Sequence, residues 1–270
     1  MRNFFVVIIL VPLLFSCSNY QKVLKSTDYE FKYTKAMEYF EKEDYMRAAT
    51  LLNELQGVFR GTDKAETINY TYASSLYGLS DYIMAGHYYR QFVKTFPASK
   101  LNEECQFMSG YCYYMTSPKA RLDQTDTNNA LNEFQLFVNL YPSSGRVAEA
   151  NRLMDELRDK LVYKSYLGAK LYFDLGDYMG NNYLSAVIAA QNSLKEFPDT
   201  KYREELSFLI LESKYIQAVN SVPAKKDERM REAIDEYFSF INEFPESQYL
   251  SKAVKIYNSA SKNIQFEEVN

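Results

Sequence analysis

The chain has 270 residues, of which 24% are charged and 47% hydrophobic, and a formal charge of -4. That balance, with no basic stripe, argues against nucleic acid as a partner, and a single histidine, His87, leaves no set for a metal centre or a histidine-based triad. There is no glycine-rich phosphate loop, GxSxG or HExxH, so the chain reads as a non-enzyme without a cofactor.

At the N-terminus Arg2 precedes twelve uncharged residues, 4–15. As a helix they would reach about 18 Å, short of the ~30 Å hydrocarbon layer, so they read as a secretory signal and not as a membrane span. The run ends Leu14-Phe15-Ser16-Cys17, which resembles the bacterial lipobox. That motif implies cleavage between Ser16 and Cys17 and acyl chains on the cysteine, an N-terminal membrane anchor. Residues 1–16 are therefore read as a lipoprotein signal peptide and 17–28 as the lipidated cysteine and its tether. Ser18 in place of an aspartate implies passage to the outer membrane, and the lack of an acidic cluster after Cys17 implies its periplasmic face.

From residue 29 one pattern recurs. Phe96-Pro97, Tyr141-Pro142, Phe197-Pro198 and Phe244-Pro245 each lie eleven residues beyond an alanine: Ala85, Ala130, Ala186 and Ala233. A hydroxyl follows each proline by two residues, at Ser99, Ser144, Thr200 and Ser247, and a fifth copy runs Ala48, Phe59, Thr62 with Arg60 in the proline's place. The alanine suits a close helix crossing, and positions four and seven beyond it return to the same face, as in Tyr89 and Phe92 or Phe134 and Phe137. Proline ends the helix because the residue before it is pushed out of helical geometry, and the hydroxyl can cap the next helix. The pattern is similar to the tetratricopeptide repeat, which predicts an all-α chain, an α-solenoid of about five helical hairpins. The lead-in "DYMRA" (44–48) recurs as "DYIMA" (81–85).

Inserts divide the array. The polar stretch 117–129 reads as a loop within repeat three, set in an insert of 116–129; residues 146–167 keep helical periodicity without Pro or Gly; the charged stretch 222–229 reads as another loop. The division is an N-terminal module over 29–142, holding repeats one to three, and a long connecting helix with repeats four and five over 143–270. Cys105 and Cys112 are two helical turns apart, about 10 Å, too far for a disulfide, and read as small core residues. The adjacent pairs Glu103/Glu104 and Glu204/Glu205 point about 100° apart on a helix and read as solvated faces.

With catalysis set aside, the chain reads as a binding scaffold. It holds 25 tyrosines and no tryptophan. Tyrosines crowd repeats two and three, where Tyr72, Tyr77, Tyr89 and Tyr111 are candidates to line a groove for an extended peptide.

A lipobox followed by such repeats, with "YTKAMEYFEKEDYMRAATLLNEL" (33–55), "YYRQFVKTFPAS" (88–99), "LDQTDTNNALNEFQLFVNLYPSS" (122–144), "LRDKLVYKSYLGAKLYFDLGDY" (157–178) and "FPDTKYREEL" (197–206), resembles the BamD family, lipoproteins of the outer-membrane β-barrel assembly machinery. The resemblance implies an adaptor whose N-terminal repeats hold targeting segments of unfolded outer-membrane proteins. Its C-terminal repeats would dock a periplasmic POTRA domain of the barrel-forming subunit, and accessory lipoproteins are further partners of such machinery. It also implies a basic partner-binding residue on the first helix of repeat five, matched by Lys214, with Arg203 on the same helix. Other readings are a periplasmic repeat lipoprotein of cell-envelope organisation, or one that captures glycans, although glycan-capturing proteins are rich in the tryptophan this chain lacks.

Overall fold

In a computed structural model of the chain the described residues are 19–267, so Ser16 and Cys17 lie outside them. The described residues hold no strand; after a helical turn at 19–24 they form eleven helices. These are α1 (Tyr29–Glu41), α2 (Tyr45–Val58), α3 (Ala65–Gly78), α4 (Tyr82–Thr95), α5 (Asn102–Thr116), α6 (Thr125–Leu140), α7 (Val147–Leu175), α8 (Asn182–Glu196), α9 (Arg203–Val219), α10 (Pro223–Glu243) and α11 (Leu250–Glu267). Two compact units result. The first comprises the described residues to Pro118 and Gln124–Leu157, the second Lys119–Asp123 and the described residues from Arg158 onward. Within each unit consecutive helices pack in antiparallel hairpins, each hairpin on the next, in the manner of an α-solenoid.

The repeat's small residue does what its size allows. Ala36, Ala48, Ala73, Ala85, Ala130, Ala186 and Ala233 are all fully buried where helices cross. The large residues on the same face fill the cores: Leu52, Leu55, Tyr89, Phe92, Phe134 and Phe137 in the first unit, Tyr237 and Phe240 in the second. In repeat four the corresponding residues are Ala190 and Ser193, both buried, so that crossing is made by small side chains. In the second unit α11 adds Ala253 and Ile256 to the core under Phe208 and Phe240 and so covers the last hairpin.

The turns show the chemistry of the repeat. Phe96, Tyr141, Phe197 and Phe244 close their helices at φ -122° to -128° and ψ 58° to 73°, each donating its N–H to the carbonyl four residues back. Phe59, which Arg60 follows instead of proline, stays near-helical at φ -93°, ψ 15°. The steric demand of the proline is visible in that difference. The hydroxyl bonds ahead of the next helix and not inside its first turn. Ser99, Ser144, Thr200 and Ser247 accept from the N–H two residues on, just ahead of the helix, at 2.9–3.2 Å. The amides inside the first turn are taken elsewhere by Asp28, Asp44, Asp81 and Asn181, whose side chains accept from the third residue on. The "DY" lead-in is thus an N-cap.

Both stretches read as loops are partly helical. Helix α6 begins at Thr125, inside 117–129, because Thr127 is buried and its hydroxyl donates to Gln124 Oε1 at 2.7 Å. Helix α10 begins at Pro223, inside 222–229: proline at the first helical position has no N–H to lose and a φ already set for the helix. The long helix expected over 146–167 continues to Leu175. Its start supplies Leu153, Met154 and Leu157 to the first core, and its end supplies Ala169 to the second.

Candidate functional site

Four tyrosines were candidates for a groove, and burial separates them. Tyr89 on α4 is 2% exposed, with its hydroxyl donating to Ser74 Oγ at 3.0 Å; Tyr72 on α3 is 8% exposed, with its ring edge-on to Tyr88 at 4.7 Å. Burial pushes both hydroxyls up, Tyr72 to about 12 with Tyr88 adding to the effect. These two pack the α3–α4 hairpin and are too buried to touch a peptide directly.

Tyr77 and Tyr111 are brought together. They sit on α3 and α5, the first helices of successive hairpins, with ring centroids 6.3 Å apart and both partly exposed. The run extends on both sides. Tyr82 lies 5.5 Å from Tyr77, and Tyr114 stacks 5.7 Å from Tyr111 while donating its hydroxyl to Glu156 Oε2 at 2.7 Å. Burial raises the Tyr77 hydroxyl, helped by Tyr111, and the Glu156 hydrogen bond leads in raising that of Tyr114. These two phenols therefore stay protonated. Behind the track Phe107 is buried, stacked 6.0 Å from Tyr111, and the Arg146 guanidinium lies over its ring at 3.7 Å. Arg146 also pairs with Glu104, so one of the acids read as solvated ties α5 to the start of α7. The surface that results is aromatic and edged by hydroxyls, with the Glu156 carboxylate at its Tyr114 end. It suits apolar side chains and the polar backbone of an extended segment. Tyr114 is three residues from Tyr111 in "GYCYY", a spacing that puts both on one helix face; Arg146 carries no comparable signal in the sequence.

In the second unit Lys214 and Arg203 both lie on α9, and both are turned toward α10. Lys214 Nζ donates to Glu236 Oε2 at 2.6 Å; Arg203 pairs with Glu243 and donates to the Pro198 carbonyl at 2.9 Å. Eleven residues of helix, about 16 Å, separate them, so they form two ion pairs and not one cluster. Both remain partly exposed. The same unit has a groove of about 570 Å³ lined by Ala120, Arg121, Lys164, Leu167, Lys170 and Leu171, where Lys164 donates to the Leu122 carbonyl at 2.6 Å. Its lining mixes Arg121, Lys164 and Lys170 with Asp174 and with apolar Ala120, Leu167 and Leu171. The sequence gives no sign of it, because segment 119–123 meets α7 only through tertiary packing.

Among the described residues no group of His, Cys, Asp or Glu could hold a metal ion, and no helix is long and apolar enough to cross a membrane. Cys105 and Cys112 are buried free thiols. A curated protein of Aquifex aeolicus (strain VF5), provisionally named outer membrane protein assembly factor BamD, is 28% identical over 209 residues. The match takes in 76% of this chain but 64% of that protein, less than two thirds of its length. Among solved structures, the TPR2AB-domain:pHSP90-complex of yeast Sti1 aligns at a TM-score of 0.38 and 12% identity, over 86% of this chain and 98% of that one, a likeness too loose to argue from. The sequence profile of a family described as YfiO, outer membrane lipoprotein, matches residues 26–180, from the start of the repeats into the second unit. That match spans more than half of the chain, and the protein belongs to the YfiO family of outer membrane lipoproteins, the family to which the resemblance to BamD pointed.

Proposed function

We propose that the protein is a non-catalytic scaffold of the outer-membrane β-barrel assembly machinery, held at the periplasmic face of the outer membrane by acyl chains on Cys17. The observation that carries this reading is the family match over residues 26–180, together with a relative named as an outer membrane protein assembly factor. The track Tyr82–Tyr77–Tyr111–Tyr114 supports a role in holding targeting segments of unfolded outer-membrane proteins, since partly exposed rings on successive hairpins match the apolar side chains of an extended chain. Helix α9 is the surface for a periplasmic POTRA domain of the barrel-forming subunit. Lys214 would exchange Glu236 for an acidic group of that domain, and Arg203 would act similarly from its pair with Glu243. Accessory lipoproteins are further candidate partners.

The test is a gentle detergent pull-down of the lipidated protein. It should recover a large β-barrel protein with periplasmic domains, and Lys214→Glu should lower that recovery. Tyr77→Ala with Tyr111→Ala should weaken photo-crosslinking to an unfolded outer-membrane protein by roughly tenfold, as two lost aromatic contacts of about 0.5–1.5 kcal/mol each imply. Recovery of a sugar-importing barrel pair would overturn the reading in favour of glycan capture.

A further inference from the structure

The path of the chain ahead of α1 says where a lipid on Cys17 would emerge. Residues 19–24 make a helical turn, and Asp28 then caps the start of α1. Val23 is buried in the first unit's core. Tyr20 meets Tyr39, in the last turn of α1, edge-on at 5.9 Å. The Arg47 guanidinium, in the first turn of α2, covers both rings at 5.3 and 5.6 Å and pairs with Asp44 at 2.8 Å. The segment therefore runs back along α1, antiparallel to it, and ends beside the α1–α2 turn. Cys17 stands three residues before Tyr20, so extended chain carries it no more than about 10 Å from Tyr20.

The edge it reaches is apolar at matched places. Met46 is 63% exposed and Ile83 is 72% exposed; each is the second residue of its helix and lies two residues before a crossing alanine, Ala48 or Ala85. The α1–α2 and α3–α4 turns adjoin, because the Tyr45 ring covers Gly78 so closely that a Cβ there would stand 2.4 Å from it. One exposed apolar residue on a surface is ordinary. Two at the same position of neighbouring hairpins, on the edge where an anchored chain would leave, offer an apolar contact to whatever lies against that edge. Lys42 at the turn is flanked by Glu41 and Glu43, so net charge gives little attraction there and the contact has to be apolar.

Resting on the reading of Cys17 as the acylated residue, we propose that this edge of the first unit lies against a phospholipid bilayer, with Met46 and Ile83 entering the boundary between headgroups and acyl chains. The anchor then fixes which side of the first unit faces the membrane.

The native chain has no tryptophan, so Ile83→Trp introduces the sole indole of the full-length protein. The lipidated variant is reconstituted in phosphatidylcholine vesicles containing acyl-brominated lipid. Val58→Trp, at the opposite end of α2, serves as comparator, and Met46→Trp is the second reporter should Ile83→Trp fail to fold. Mass spectrometry of the N-terminal peptide is read in parallel. An acylated Cys17, a blue-shifted indole in Ile83→Trp quenched several-fold more than that in Val58→Trp, and insensitivity of that difference to high salt support the proposal. An acylated, vesicle-bound protein in which the indoles of Ile83→Trp and Met46→Trp are quenched no more than that of Val58→Trp overturns the proposal and leaves the anchor standing. A Cys17 without acyl chains overturns the anchor and the proposal together.

Discussion

Two glycines inside helices show how much the surroundings of one atom decide. A Cβ at Gly57 in α2 would meet nothing within 4 Å, whereas one at Gly110 in α5 would come to 2.9 Å from the Phe134 ring and 3.3 Å from Glu133 Cβ. Gly57→Ala should therefore raise stability by about 0.5–1 kcal/mol, through the lower backbone entropy of the unfolded chain. Gly110→Ala should lower it by about 1–3 kcal/mol, since Phe134 is fully buried and cannot yield. Urea titration of both variants checks the opposite signs. The buried thiols behave as their surroundings require. Burial raises Cys105 from 9.0 to about 12, helped by Glu104, and Cys112 from 9.0 to about 12. The folded chain keeps these protons where the unfolded chain releases them. Their contribution to stability is therefore intact below pH 9.0 and is lost as pH rises from there toward about 12. The urea midpoint should fall over that window, and less steeply in Cys105→Ala with Cys112→Ala. The cysteines' role as core residues was legible from spacing alone. The burial of Tyr72 and Tyr89, unlike that of Tyr77 and Tyr111, was not, because a tyrosine on an amphipathic helix serves either side of its boundary.

At the scale of the element, each hairpin is written by its stops and starts. The aspartate of "DY" was legible as part of a repeated lead-in, and its work is to accept from the first free amides of α2 and α4. Asp81→Ala should cost about 1 kcal/mol, while Asp81→Asn should cost a few tenths, measured by thermal unfolding of the two variants. The ring-proline turns were also legible, down to the exception at Phe59. The pairing across them was not. Ser247 Oγ donates to Glu204 Oε1 at 2.6 Å, Arg146 pairs with Glu104, and Lys64 pairs with Glu30, each linking a turn to the first helix of the preceding hairpin. Residues 34–43 positions apart meet only because the hairpins stack, so two acids read as solvated became links between repeats. The starts of α6 and α10 were misread for a related reason: polar, proline-bearing sequence looks like loop until a buried Thr127, or a Pro223 at the first helical position, shows that the helix has already begun.

At the scale of the whole molecule the packing is local along the chain, since hairpins contact their neighbours in sequence and each unit has its own core. Damage should stay local too. Leu52→Ala, at a fully buried position of α2, should cost about 2–5 kcal/mol. Hydrogen exchange should then show lost protection in α1–α3 and retained protection in α9–α11. The sequence by itself determined the helical class, the repeat, its crossing alanines and its turns, because these follow from side-chain size, proline sterics and capping within about a dozen residues. Tertiary structure alone decided which tyrosines stay partly exposed, that Lys214 and Arg203 are already paired across to α10, and that the N-terminal segment doubles back to the edge bearing Met46 and Ile83. Each of those depends on distant residues meeting, and helical periodicity reports which face a side chain takes but not what stands opposite it.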